Sequence, residues 1–452
     1  MEPALKVARQ FTSLLMTNWT VLGTGLLTTV ITARVLGPER QGMLTLLRAS
    51  VNLLAVFLGM GLPTAAAFMR KQREHPVGEL VAGIAAFYGV TTLLVFAATL
   101  SGGDVVERLL LGVAQAPKVA RVWLWLTVAT LPGILITSLL TPLLIVDDKL
   151  GLLMVWRTSG QVLGLVLTCV LVVLMGLGIT GALASNLVVQ STSLLTTGIW
   201  LREAGAEGKV RLVGSRLARA FHIGLQQHFV TLFANLFKRG ENILLAYLLD
   251  LRAVGYYSVA TGLYDLVIDV PRTLVWPMVG EIADKETADR EVRAATGIRI
   301  QIPGSVALVL VASLIIPWML PLVYGEGYRQ AVVPFSYLLP GVVFRTIHLG
   351  TSAYFIGIGA PGALLVPVMC AAVVSLGLDI LVVPRFGLLG AAATTVLGEL
   401  AMAALSLRIF LRRSHLTLLE AVIPRKAELL QLRSFPRRLL QGQGRDARDR
   451  RT

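Results

Sequence analysis

The stretch FTSLLMTNWTVLGTGLLTTVITA, residues 11–33, decides the class of fold. A helix needs about 20 apolar residues to cross the hydrocarbon core of a bilayer, and this run is that long and carries no charge. Lys6 and Arg9 precede it. A cleavable signal peptide has a shorter apolar core and a small-residue cleavage site, so the run reads as a retained first span. Runs of the same kind recur along the whole chain. Spans are expected near 11–33, 43–68, 77–100, 119–146, 152–176, 179–201, 219–249, 253–280, 297–322, 331–357, 362–383 and 388–411, with Gly, Pro and charged clusters marking the turns. Composition agrees. Of the 452 residues, 55% are hydrophobic and 15% charged, where a soluble domain carries about a quarter charged, and the mean hydropathy is +0.74. The expected fold is an all-α integral membrane protein of about twelve transmembrane helices.

The net charge of +15, from 41 Lys+Arg against 26 Asp+Glu, follows from topology rather than from nucleic-acid binding. Twelve spans put both termini on one face. With that face inside, the inner connections hold Arg70, Lys71, Arg73, Lys149, Arg202, Lys209, Arg211, Arg216, Lys285, Arg290 and Arg293, and the outer ones hold Arg34, Arg40, Arg108, Lys118, Arg121, Arg252, Arg329 and Arg385. The tail after Arg412 adds many more inside, so both termini are expected in the cytoplasm. The longest internal connections, 202–218 and 281–296, are too short to fold as domains, which leaves no room for a soluble catalytic module and argues against an enzyme. Cys169 and Cys370 both fall inside apolar runs; no disulfide framework, metal-ligand cluster or cofactor motif is expected. The tail, 413–452, opens with an amphipathic stretch (Leu416, Leu418, Leu419, Val422, Ile423) and continues as a basic segment, which reads as a membrane-surface helix and a disordered end on anionic lipid.

The chain repeats itself at a spacing near 210 residues. Leu36 and Gly42 are matched by Leu249 and Gly255, Leu131-Pro132-Gly133 by Leu339-Pro340-Gly341, and Gly178-x-x-Gly181-Ala182-x-Ala184 by Gly387-x-x-Gly390-Ala391-x-Ala393. An even number of spans per half gives both halves one orientation, related by an axis along the membrane normal with a substrate path between them. Residues 1–210 and 211–412 are the expected six-helix lobes.

Four stretches resemble the multidrug/oligosaccharidyl-lipid/polysaccharide (MOP) transporter superfamily, and within it the Wzx-like O-antigen and polysaccharide flippases: ARVLGPERQGML at 33–44, NILLAYLLDLRAVGYYSVATGLYDLV at 242–267, LVYGEGYRQAVVPFSYLLPGVVFRTI at 322–347 and LVVPRFGLLGAAATTVLGEL at 381–400. The resemblance implies two six-helix bundles in a V around a central cavity. It also implies a bacterial inner-membrane protein, a monomer, that moves an undecaprenyl-diphosphate-linked oligosaccharide from the inner to the outer leaflet, beside the polymerase and chain-length machinery. Members often carry an Asp after the Arg near the end of the seventh span; here Arg239 is followed by Glu241.

Charges deep in a span mark function by default. Arg48 with Asn52 lies in span two, Lys238, Arg239 and Glu241 in span seven, and Asp265, Asp269 and Arg272 on one face of span eight. Arg345 and His348 lie in span ten and Glu399 in span twelve. Arg48, Lys238, Arg239, Arg272, Arg345 and His348 are the expected cationic lining of the cavity, because Arg forks match phosphate oxygens and Lys adds a point charge. For Arg272, pairing with Asp269 or Asp265 stands open beside a place in the cavity lining; pairing is expected of Glu241 with Arg239, and Arg345 has no carboxylate within a turn. Glu241, Asp265, Asp269 and Glu399 are candidate sites for a coupling proton or sodium ion. Arg157 is expected to snorkel to an interface, and His222 and His228 to make polar helix contacts. Tyr256 and Tyr257 are expected at the outer interface, with Tyr264 open between that and sugar stacking. The rivals are a cation-coupled multidrug exporter, a lipid II flippase, a glycan polymerase or ligase, and a scaffold of the polysaccharide machinery.

Overall fold

The computed structural model describes residues 2–71, 77–101, 121–203, 214–283 and 289–424, and among these there is no β-strand. The helices are α1 (Glu2–Gly59), α2 (Leu62–Lys71), α3 (Val77–Ser101), α4 (Arg121–Ala129), α5 (Leu131–Val146), α6 (Leu150–Thr168), α7 (Gly178–Glu203), α8 (Gly214–Asn235), α9 (Glu241–Leu248), α10 (Leu251–Arg272), α11 (Val275–Ala283), α12 (Arg290–Tyr324), α13 (Val332–Leu338), α14 (Pro340–Gly357), α15 (Leu365–Ser414) and α16 (Leu418–Val422). Two of the apolar helical stretches, Thr20–Gly59 and Pro361–Ser414, are 40 and 54 residues long. At 1.5 Å per residue they would run to about 60 and 80 Å, at least twice the hydrocarbon core, so neither can be one span. Each breaks at a glycine off the helical conformation, Gly37 (φ 72°, ψ 171°) and Gly387 (φ 57°, ψ −138°). The chain therefore makes twelve helical passes among the described residues: two on α1, then α3, α4–α5, α6, α7, α8–α9, α10–α11, α12 and α13–α14, and two on α15. Pass two ends at Gly59, earlier than the expected 68; Met60 and Gly61 turn the chain with positive φ, and α2 follows as a separate helix.

Passes six, seven and eight fall short of the apolarity of the others. They carry the polar residues of the centre, including Asn186, Gln190, Gln227, His228, Lys238, Glu241, Asp265 and Asp269. Polar side chains at this depth belong against other helices or a water-filled cleft, not lipid.

The duplication is visible in the geometry. Gly178 and Gly387 share a left-handed conformation, φ 56° and 57°, that only glycine adopts freely, and each starts the sixth pass of its half. Pro132 and Pro340 stand in the first turn after a break in the fourth pass of each half, between α4 and α5 and between α13 and α14; the second break bends the pass by 49°. Passes two and eight cross at the matched glycines. A Cβ on Gly42 would lie 1.8 Å from the Leu251 carbonyl oxygen, and one on Gly255 1.9 Å from the Pro38 carbonyl oxygen. Leu251 stands 213 residues after Pro38, as Gly255 does after Gly42. Each residue thus meets the copy of the other's partner, the reciprocity that a two-fold axis imposes on a contact through it.

At this end of the bundle the halves are also joined by Arg34, which donates from Nε to the Val323 carbonyl at 2.6 Å and from Nη2 to that of Leu322, and by Tyr328, whose hydroxyl donates to the Ala33 carbonyl at 3.1 Å. At the other end Gly61 faces Gly224, where an added Cβ would lie 2.0 Å from the Gly224 carbonyl oxygen. Phe87 meets Phe221 edge-on at 5.2 Å beside it. The expected lobe boundary at 210/211 lies outside the described residues. Of the tail, α16 is described: Ala421 is buried, Leu416 and Val422 pack on the protein, and Leu418, Leu419 and Ile423 stay exposed.

Candidate functional site

The middle of pass seven is a π-helical turn, Leu236–Gly240, inserted between α8 and α9. Such bulges cost regular hydrogen bonding and gather at functional sites. This one carries Lys238 and Arg239, and it packs against α1. Lys238 Nζ pairs with Asp265 Oδ2 of pass eight at 2.7 Å, yet the lysine side chain keeps 49% of its surface free. A cation that open about ten residues, hence about 15 Å, from the end of its pass must face a water-filled cleft. Arg48 lies at a similar depth in pass two, about ten residues below Pro38. The Nε atoms of Arg48 and Arg239 are both buried without a hydrogen-bond partner, and among the described residues neither side chain forms an ion pair. Asn52 turns its amide to the Arg48 backbone carbonyl, at 2.7 Å, rather than to the guanidinium.

The other expected cations are matched. Arg345 Nη2 meets Glu399 Oε1 at 2.6 Å, across from pass ten to pass twelve, with Glu399 fully buried. The Tyr264 hydroxyl also donates to Glu399, at 3.3 Å, and the Arg345 guanidinium lies 5.4 Å from the centre of the Phe237 ring. The expectation of an Arg345 without a carboxylate looked only along its own helix; the partner comes from 54 positions away. Arg272 pairs with Asp269 one turn back, one of the two readings left open for it. Asp265 turns instead to Lys238. His348 is buried and its Nδ1 lies 2.8 Å from Ser406 Oγ, which gives it the geometry of a contact between passes ten and twelve.

Glu241 does not pair with Arg239. It is buried, and its Oε1 accepts from the Tyr257 hydroxyl at 2.7 Å and from Thr395 Oγ1 at 2.8 Å. Tyr257 is accordingly fully buried rather than at the interface, and Tyr256 packs edge-on against Tyr328 at 6.1 Å. The preceding residue on pass twelve, Thr394, donates to Asp379 of pass eleven, whose other oxygen, Oδ2, has no partner among the described residues. Two buried carboxylates thus hang on consecutive threonines with no cation beside them among the described residues. Asp379 is not among the site residues expected from the sequence. It lies four residues before the expected end of span eleven, where an acid draws no notice, but the helix runs on to Phe386 and leaves it buried.

The arrangement is a cluster of charged side chains drawn mostly from the second half, with Arg48 as the first half's contribution. It sets two guanidinium groups with buried, unpartnered Nε atoms near the buried carboxylates Glu241 and Asp379. The fold is shared with solved transporters. A multidrug resistance MATE family transporter of the MOP superfamily, in its inward-facing conformation, aligns with a TM-score of 0.72 at 17% identity, over 87% of this chain and 94% of that one. The lipid II flippase MurJ, in an inward closed conformation, aligns with a TM-score of 0.71 at 12% identity, over 88% and 89%. A MOP superfamily transporter from Pyrococcus furiosus aligns at 0.59 and 16%, over 90% and 95%. At these identities the likeness establishes the fold: a multi-pass membrane protein of the MOP architecture. No curated protein matches the sequence. Residues 7–270, more than half of the chain, match the polysaccharide biosynthesis protein family, and the chain belongs to that family.

Proposed function

We propose that the protein is a flippase for a polyprenyl-diphosphate-linked oligosaccharide in the bacterial inner membrane, with both termini cytoplasmic. The observation that carries the reading is the pair of unmatched guanidinium edges, Arg48 Nε and Arg239 Nε, one in each half at similar depth. Buried donors without partners are costly, about 1–3 kcal/mol each, and a diphosphate supplies acceptor oxygens for both. Lys238, held by Asp265, can turn to a second phosphate oxygen by exchanging one carboxylate for another anion. The polyprenyl tail stays in lipid while the phosphates and sugars cross inside the cleft. The halves rock about the crossing of passes two and eight, and Arg34 and Tyr328 release when that end opens.

Glu241 and Asp379, with Tyr257, Thr394 and Thr395, are the proposed seat of the coupling ion, a proton or sodium, ahead of Asp265 and Asp269, which are already paired with cations. Glu399 stays bound to Arg345 and gates that cation. The family name and the cationic cleft favour this reading over a multidrug exporter, whose organic cations call for an acidic cavity.

The test is native mass spectrometry of protein purified from its own host in mild detergent. Wild type is expected to retain a polyprenyl-diphosphate glycan, and Arg239→Gln and Arg48→Gln to retain at least tenfold less. Retention of bulk phospholipid alone, unchanged in both variants, refutes the proposal.

A further inference from the structure

Where pass twelve leaves the bundle and α16 folds back, a pocket of about 470 Å³ opens between them. Its walls are Ala404, Leu407, Leu411 and Leu418, and its rim is Arg408 and Arg412. The two arginines are one helical turn apart on one face of α15. Both are exposed, and among the described residues neither makes an ion pair or a side-chain hydrogen bond. The neighbouring Arg413 is differently engaged, its guanidinium 5.6 Å from the centre of the Phe355 ring. The pocket is held rather than incidental. Arg299, buried in α12, donates to the Glu420 carbonyl and to Thr296 Oγ1 at 2.8 Å, and Thr417 and Glu420 cap each other at the start of α16. This fixes Leu418, itself half exposed, at the pocket wall.

We propose that this pocket binds an anionic phospholipid of the leaflet that faces the C-terminal tail, with the phosphate on Arg408 and Arg412 and one acyl chain along Ala404, Leu407 and Leu411. Two unmatched cations above an apolar wall, at a helix end that reaches the membrane surface, complement a phosphate joined to a hydrocarbon chain. A zwitterionic lipid brings a cation of its own against the two arginines, and a soluble phosphate leaves the wall wet. The inference rests on the membrane placement of the chain and not on what the central cleft carries.

The experiment titrates the full-length protein, in neutral detergent, with dioleoyl phosphatidylglycerol and counts bound lipid by native mass spectrometry. Each basic residue near a charged surface contributes about 1 kcal/mol, so the double variant Arg408→Gln/Arg412→Gln is expected to bind about thirtyfold more weakly, and Arg408→Lys/Arg412→Lys within about threefold of wild type. Dioleoyl phosphatidylcholine is expected to bind about as weakly as phosphatidylglycerol does to the glutamine variant. Equal binding of phosphatidylglycerol by wild type and the glutamine variant overturns the proposal. So does equal binding of the two lipids, or full competition by sn-glycerol 3-phosphate, which has the headgroup and no chains. Loss of a co-purified polyprenyl-diphosphate lipid in the glutamine variant assigns the pocket to the substrate instead. If Arg239→Gln and Arg48→Gln keep their polyprenyl lipid while the pocket behaves as proposed, only the flippase reading fails.

Discussion

Substituting alanine for Gly42 turns the crossing of passes two and eight into a measurement. On an open helix face, Gly→Ala stabilises by about 0.8–1 kcal/mol through helix propensity. At Gly42 the new Cβ would stand 1.8 Å from the Leu251 carbonyl oxygen, and ordinary contact begins at 3.4 Å, so the backbones must part by about 1.6 Å. Neither obstacle is a side-chain end that can swing aside; the nearest atoms belong to the backbones of Leu251 and Gly255. Overpacking of this kind costs about 1–3 kcal/mol or more, which outweighs the propensity gain and reverses the sign. The closed arrangement at that end should lose about 1.4 kcal/mol net, a tenfold shift toward the parted state. Gly262 lies on the same α10 with open space where its Cβ would go, so Gly262→Ala serves as the internal control.

The assay uses the exposed ion pair above the crossing, Arg252 Nη2 to Glu39 Oε2 at 3.5 Å. With Cys169 and Cys370 replaced by serine, cysteines at positions 39 and 252 are joined by a short methanethiosulfonate cross-linker. Cross-linking is expected to fall about tenfold in Gly42→Ala and Gly255→Ala and to hold in Gly262→Ala. A Gly42→Ala protein that cross-links and melts like Gly262→Ala refutes the close approach, and with it the axis placed there.

Other outcomes follow from the same geometry. Thr395→Val removes a donor from buried Glu241 and should cost about 1–3 kcal/mol, read as a lower melting temperature in detergent, with Thr395→Ser recovering most of it. Asp379→Asn is expected to remove the dependence of transport on an ion gradient while polyprenyl-lipid retention stays within twofold of wild type; unchanged ion dependence moves the coupling site elsewhere. Arg299→Met breaks charge-assisted bonds to α16 worth about 1.5 kcal/mol or more, so limited proteolysis near residue 417 should speed up about tenfold; an unchanged rate means that apolar packing alone holds α16.

Fold and site differed in how much of them the sequence revealed, for a physical reason. Spans are local: apolar length and the charge of the connections place them, and each expected span falls on its own pass, although the helices of passes one and nine begin earlier, at Glu2 and Arg290. Pass two was misjudged because 60–68 stays apolar past the turn that Met60 and Gly61 make; the signal was the Gly59-Met60-Gly61 spacing. The site is non-local. Spacing along one helix offered Arg272 with Asp269, three residues apart, as one of its readings, but Lys238 with Asp265, Arg345 with Glu399, and Glu241 with Thr395 each join different passes. Tyr257 looked interfacial from its place near a turn, and only the arrival of Glu241 and Thr395 shows that it lies inside.

The duplication reaches further than its glycines, and it says which charges the fold needs. Thr137 and Gln190 of the first half stand 208 and 209 residues before Arg345 and Glu399, the offsets of the matched Leu-Pro-Gly and Gly-x-x-Gly-Ala motifs around them. Gly133 faces the Gln190 backbone, whose carbonyl oxygen would lie 2.6 Å from an added Cβ, whereas Gly341 faces the Tyr264 hydroxyl at 2.6 Å and has Glu399 Cγ in ordinary contact at 3.5 Å. In the first half, Thr137 Oγ1 lies 3.4 Å from Gln190 Oε1, a neutral contact; in the second, the same two positions form a buried ion pair at 2.6 Å. A neutral pair therefore suffices to hold a fourth pass against a sixth, and the charges of the second half are surplus to that task. Glu399→Gln alone strands a cation and should cost about 3–5 kcal/mol. Arg345→Thr/Glu399→Gln writes the first half's pair into the second and removes both charges, so most of that loss should be recovered, less the space vacated by the arginine and its contact with Phe237. Melting of the double variant is expected to lie nearer wild type than Glu399→Gln does, while retention of the polyprenyl-diphosphate lipid falls at least tenfold. Full retention in a well-folded double variant would make Arg345 a strut. A double variant no more stable than Glu399→Gln would mean that the two halves no longer share this contact.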